Sequence, residues 1–259
     1  ARECSGRLTR MVAQCGKCIR EFGITSYGGR RELSDFTKGF QIGSELLEGA
    51  GLCAAVGREI IGESMGCGLS RPQDAQCALA AGAVYGGLIF AENSPRKVDL
   101  TVARSVIAAA ALKYVGVFRN QAVSDVVTTA GELGLTAVQL HGDEDRQYVS
   151  QLRDALPAEV QIWKAFSIRD SLPQRDWPHV DRYVFDHGNG GSGQSFDWSL
   201  LQGKTLNNVL LAGGLSADNC VEASRLGCAG LDFNSGVESA PGIKDADKIA
   251  SVFQTLKAY

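Results

Sequence analysis

Residues 113–144, "KYVGVFRNQAVSDVVTTAGELGLTAVQLHGDE", hold an apolar run, a stretch with apolar residues at helical spacing closed by glycine, and a second apolar run. The first run, "KYVGVF", and the last, "TAVQL", are short and rich in β-branched residues, which suits strands buried on both faces. The segment between them, "AVSDVVTTAGELG", suits a crossover helix. A strand, a helix and a strand in that order form the repeat of a parallel sheet.

The same alternation extends in both directions. From about residue 64 the chain carries eight such runs: "MGCGLS", "AVYGGLIF", "KYVGVF", "TAVQL", "VQIWKAF", "RYVFD", "NVLLAGG" and "AGLDFNSG". Helical patterns such as "PQDAQCALAAG", "EDRQYVSQLRDAL" and "SADNCVEASRLG" lie between them. Eight βα units in just under 200 residues predict a closed (β/α)8 barrel, the TIM-barrel form of the α/β class, rather than an open doubly wound sheet. The predicted domain runs over 63–259. Residues 1–62 fall outside the count and are expected to form an N-terminal appendage. There, 31–62 reads as a short helix, the strand "GFQIGS" and a longer helix, while 1–30 has weak periodicity and many charges.

Composition narrows the function. The 259 residues carry a formal charge of −3, which offers no basic face for nucleic acid. No apolar run reaches the roughly 18 residues of a membrane span, and "ARECSGRLTR" lacks the apolar core of a signal peptide. A cytoplasmic protein that binds neither nucleic acid nor membrane is expected. Of the eight cysteines, Cys15 and Cys18 form a lone C-x-x-C, and Cys4, Cys53, Cys67, Cys77, Cys220 and Cys228 are scattered. A structural zinc site needs four ligands in two clusters, so these read as free thiols with no metal.

Active sites of such barrels form at the carboxyl ends of the strands. Read at that edge, strand one ends in Cys67, strand two leads to Arg96, strand three reaches Arg119, strand four ends at His141 and strand six at Asp186. The turns after strands seven and eight hold Gly213, Gly214, Ser235 and Gly236, a small-residue cradle suited to phosphate. A strand cysteine taken alone is most often a small core hydrophobe, and glycine-rich turns are most often only turns. Here a thiol, an acid, an arginine and a cradle share one rim.

The stretches "CGLS", "GLIFAENSPR", "YVGVFRN", "VQLHGDE", "DHGNGGSGQSFDW", "LAGGLSADN" and "LDFNSGVESAPGIKD" resemble the phosphoribosylanthranilate isomerase family, in order, over about 64–259. "GITSYGGRRELSDFTKGFQIGSELL", at 23–47, resembles the C-terminal end of indole-3-glycerol-phosphate synthase, which some bacteria fuse ahead of the isomerase. The resemblance implies an Amadori rearrangement of N-(5-phosphoribosyl)anthranilate, a small phosphosugar, without metal or organic cofactor; a monomer is expected, since nothing in the sequence demands more. It implies Asp186 as the general acid that opens the furanose ring, and Cys67 as the general base at C2′. Arg96 is implied as partner of the anthranilate carboxylate, His141 and Asp232 as substrate-binding residues, and Gly213, Gly214, Ser235 and Gly236 as the phosphate grip.

This chemistry predicts that the acid's pKa is raised by burial and the thiol's lowered. The loop after Asp186, with four glycines in "DHGNGGSG", is expected to close over the site. Met65 and Gly66 stand where family members carry Lys and an aliphatic residue; glycine inside a strand is expected to cost roughly 0.5–1 kcal/mol. A complete synthase is itself a barrel of about 250 residues, so 1–62 predicts no synthase activity. Two other readings are a catalytically weakened barrel serving as a binding module and a metal-using phosphosugar epimerase. Intact Cys67, Asp186 and Arg96 argue against the first, and the scarcity of histidines argues against the second.

Overall fold

The computed structural model describes residues 63–188 and 195–259. The appendage at 1–62, with Cys15 and Cys18, and the centre of the glycine-rich loop, 189–194, lie outside the described residues.

Eight parallel strands close into a barrel in sequential order. They are β1 (Met65–Gly66), β2 (Tyr85–Ile89), β3 (Lys113–Phe118), β4 (Ala137–Leu140), β5 (Gln161–Ser167), β6 (Arg182–Asp186), β7 (Val209–Leu211) and β8 (Gly230–Phe233). Closure sets Met65 beside Asp232 and Gly66 beside Phe233. The first strand stops one residue short of its expected end; Cys67 continues the ladder by donating its N–H to the Phe233 carbonyl at 2.9 Å. After β8 a 3-10 turn (Ser235–Val237) leads into a small antiparallel hairpin, β9 (Glu238–Ala240) and β10 (Ile243–Lys244).

Among the described residues six α-helices cover the barrel: α1 (Pro72–Ala81), α2 (Leu100–Ala109), α3 (Val123–Leu133), α4 (Arg146–Ala155), α5 (Cys220–Ser224) and α6 (Ala246–Ala258). Asp99, Asp145 and Asp245 cap α2, α4 and α6 by accepting first-turn N–H groups. Two crossovers depart from the expected strand–helix repeat. Between β5 and β6, residues 168–181 form no helix, because Pro173 and Pro178 remove backbone donors and fix φ. Between β6 and β7 the described residues hold only the 3-10 turn Trp198–Leu201.

Strand alternation divides the core into layers. Met65, Tyr85, Val115, Ala137, Trp163, Val184 and Leu210 fill the barrel interior, and Cys67 joins this cluster at its upper end. Larger apolar clusters, built around Phe233 and Phe253 and around Phe118 and Leu140, lie between strands and helices. Gly66 faces that outer layer. A methyl group there would meet Ala78 Cβ at 3.5 Å and Leu69 Cδ2 at 4.0 Å, both ordinary contacts. Nothing steric requires the glycine, and it leaves Cys67 aimed inward. Gly66→Ala is therefore expected to raise stability by about 0.4–1 kcal/mol, through a less flexible unfolded chain. A urea midpoint below that of the parent chain would contradict this.

Candidate active site

A cavity of about 530 Å³ opens at the carboxyl ends of the strands. It is lined by Cys67, Arg96, His141, Asp186, Asp232, Gly213, Gly214 and Ser235 together with Arg119 and Gln139. Eight of the nine expected site residues thus share one wall. The ninth, Gly236, sits behind that wall in the turn after β8, where a Cβ would lie 2.0 Å from the Leu215 carbonyl oxygen. Only glycine permits this close approach of the two loops read as the phosphate grip.

Cys67 reaches the cavity because of a glycine on the neighbouring strand. A Cβ at Gly87 would fall 2.8 Å from the Cys67 Sγ. Burial pushes the thiol well above its usual range, the Asp232 charge adds to this, and Asp186 adds a smaller push. Lys244 and a hydrogen bond from the Gly68 backbone act in the opposite direction without prevailing. The expectation of a lowered thiol pKa is thereby corrected: in the unliganded site desolvation outweighs the neighbouring cation.

Asp186 ends β6, and its Oδ1 accepts its neighbour's N–H, from His187, at 2.7 Å. Gly213, at φ +87°, makes room for it, since a Cβ there would sit 2.6 Å from Asp186 Oδ1. Its Oδ2 lies 3.5 Å from His141 Nε2. On the other side of that ring, Gln139 Nε2 faces Nδ1 at 3.2 Å. Donation from the amide to Nδ1 puts the ring proton on Nε2, toward Asp186. The buried Gln139 Oε1 has no partner among the described residues. Gln139 escaped the sequence reading although it lies two residues before His141, and hence on the same face of β4.

Asp232 is the other acid of the site. Its Oδ1 is buried without a partner among the described residues, on the cavity wall. Burial, helped by the Asp186 charge, pushes its pKa up to about 7, against a smaller opposing pull from Lys244. In the unfolded chain the same group titrates near 3.8. Between those values the native state keeps a proton that the unfolded state has released, so this group's stabilising contribution is lost as pH rises through about 7. Asp232→Asn should flatten that decline, read as a smaller fall in urea midpoint from acidic to neutral pH than in the parent chain. An unchanged slope would contradict it.

Arg96 is not free to swing. Its Nε and Nη2 make a two-point contact with Glu238, at 2.8 and 2.7 Å, which leaves Nη1 for a ligand. Among the described residues no group of three or more His, Cys, Asp or Glu side chains is arranged to hold a metal ion. No helix among them is long and apolar enough to cross a membrane.

Fold and site define a (β/α)8-barrel protein with an acid–base cavity where barrel enzymes carry their active sites. The chain belongs to the N-(5′-phosphoribosyl)anthranilate isomerase family, whose sequence profile matches residues 65–255. It is 62% identical over 241 residues to the tryptophan biosynthesis protein TrpCF of Salmonella typhi, an alignment covering 93% of this chain and 53% of that protein. The chain thus spans about half the length of the curated relatives it matches. The crystal structure of the phosphoribosyl anthranilate isomerase from Thermus thermophilus superposes with a TM-score of 0.68 at 32% identity, covering 76% of this chain and 98% of that one. A second isomerase, solved in complex with reduced 1-(o-carboxyphenylamino)-1-deoxyribulose 5-phosphate, gives 0.64 at 25% identity, with 77% and 100% covered.

Proposed function

We propose that residues 63–259 catalyse the Amadori rearrangement of N-(5-phosphoribosyl)anthranilate to 1-(2-carboxyphenylamino)-1-deoxyribulose 5-phosphate, a step of tryptophan biosynthesis. The observation that carries this reading is the convergence of Cys67, Asp186 and Arg96 on one cavity in a chain of this family. A product analogue bound to a related isomerase supports the ligand class.

In this reading Asp186 gives its proton to the furanose ring oxygen, the C1′–O bond breaks, and the anthranilate nitrogen supplies the electron pair that forms the Schiff base. Cys67, as thiolate, removes the C2′ proton, and the electrons shift to an enolamine that tautomerises to the ketone. The His141 Nε2–H faces the carboxylate left on Asp186 and stabilises it. Arg96 Nη1 pairs with the anthranilate carboxylate while Glu238 fixes the guanidinium plane. Gly213, Gly214 and Ser235 receive the phosphate, with Gly236 setting the approach of the two turns. Asp232 faces a sugar hydroxyl through its unpartnered oxygen. Residues 1–62 belong to the tail of a synthase module and carry no activity of their own. The protein works in the cytoplasm as a monomer.

The test is the loss of anthranilate-type fluorescence when the purified chain meets substrate generated in situ. Turnover is the expected result. A folded barrel that binds the reduced product analogue yet turns nothing over would overturn the catalytic reading in favour of a binding module.

A further inference from the structure

Behind the cavity lie three buried charges that share too few opposite partners. Glu238 Oε1 accepts from Arg96 Nε at 2.8 Å, from Lys244 Nζ at 2.9 Å and from the Gly242 N–H at 3.2 Å, while Oε2 accepts from Arg96 Nη2 at 2.7 Å. One carboxylate between two cations leaves a net positive charge. The side chains of Lys244, Glu238 and Arg96 are 1%, 5% and 7% exposed, so little water is at hand to screen it.

Lys244 Nζ has two more bonds, to the Asn234 carbonyl at 3.0 Å and to Asn234 Oδ1 at 2.9 Å. Asn234 follows Phe233, whose carbonyl accepts the Cys67 N–H, and a Cβ on Gly68 would lie 2.8 Å from Asn234 Oδ1. The ammonium is therefore anchored on the strand end that runs alongside the thiol. The hairpin carrying it is itself fastened to the loop after β1: Ser70 Oγ donates to Gly242 O at 2.6 Å and Arg71 Nη2 to Lys244 O at 2.9 Å.

We infer that Lys244, held by Glu238 and Asn234, is a positioning residue that supplies the counter-charge for the Cys67 thiolate in turnover. The inference rests on the reading of Cys67 as the base. The other charged groups around the thiol are Asp232 from β8, Asp186 from β6 and Arg96 from the loop after β2, with His141 on the cavity wall from β4. The two carboxylates oppose a thiolate. Lys244 and Arg96 favour it, and because Arg96 takes the anthranilate carboxylate in the proposed reaction, Lys244 is the one of these two cations that the ligand does not engage.

The experiment is the rate of Cys67 alkylation by iodoacetamide at fixed pH, read by mass spectrometry of the peptide that carries Cys67. Below the thiol's pKa this rate follows the thiolate fraction. Lys244→Met should slow it about tenfold, the effect of losing one nearby opposite charge. Lys244→Arg should restore most of the rate. Glu238→Gln keeps one acceptor oxygen for the cations and removes the negative charge, so it should speed alkylation several-fold. A merely structural tie between hairpin and barrel predicts the same direction for the Lys244→Met and Glu238→Gln variants, and that result, or no change in either, overturns the inference. Should Lys244→Met lose its near-ultraviolet circular dichroism, the acceleration expected in Glu238→Gln decides alone. Alkylation reads the thiolate and not turnover. A Cys67→Ser chain with full isomerase activity would remove the base assignment and leave the charge effect standing.

Discussion

Asp186→Asn lowers kcat/KM for N-(5-phosphoribosyl)anthranilate by about 10²- to 10⁴-fold, the usual contribution of a placed general acid, while the barrel stays folded. The substitution is close to isosteric. Its carboxamide oxygen can still accept the His187 N–H that Asp186 Oδ1 accepts at 2.7 Å, so the end of β6 keeps its geometry. What disappears is a proton that can be given to a ring oxygen. Unchanged near-ultraviolet circular dichroism together with the loss of rate is the expected pair of readings. A variant with native spectrum and near-parental kcat/KM would show that another group opens the ring.

Gly236→Ala is expected to be the most damaging change outside the acid–base pair. Its Cβ would lie 2.0 Å from the Leu215 carbonyl oxygen, 2.9 Å from the Leu215 carbonyl carbon and 3.2 Å from Ser216 Cβ. Two of these are backbone atoms, so no rotamer change relieves the clash, and the turn Ser235–Val237 must move away from the loop after β7. Overpacking of this kind costs about 1–3 kcal/mol. Displacing one wall of the phosphate grip by as little as about 1 Å can cost on the order of 10²-fold in rate. KM for substrate should rise more than kcat falls, since the reacting carbons lie at the other end of the ligand. Parental KM in a folded variant would contradict the phosphate role of these two turns.

The barrel was legible because parallel strands buried on both faces leave continuous apolar runs, and eight of them could be counted from residue 65 to residue 236. Counting strands also located the rim, so Cys67, Asp186, His141 and Arg96 could be placed on one cavity before any coordinates. The two-point contact between Arg96 and Glu238 spans 142 residues of chain, and no local pattern announces it. Lys244 lies in the quoted stretch "LDFNSGVESAPGIKD", but whether its ammonium faces water or the interior depends on a hairpin fastened to the loop after β1. The direction of the Cys67 shift was misjudged for the same reason: spacing shows which charges come near, whereas desolvation depends on everything packed around the sulfur. The prolines that keep the β5–β6 crossover from forming a helix were visible in "SLPQRDWPHV" and were outweighed by the regularity of the other repeats.

In the proposed reaction Cys67 takes the C2′ proton. Substrate carrying deuterium at C2′ tests it most directly, with loss of label to solvent followed in the parent chain and in Cys67→Ser. The parent chain is expected to lose label and to show a primary isotope effect on turnover, and Cys67→Ser to lose none even though Asp186 can still open the ring. Label leaving Cys67→Ser at the parental rate would contradict it and would pass the base to another group on the cavity wall.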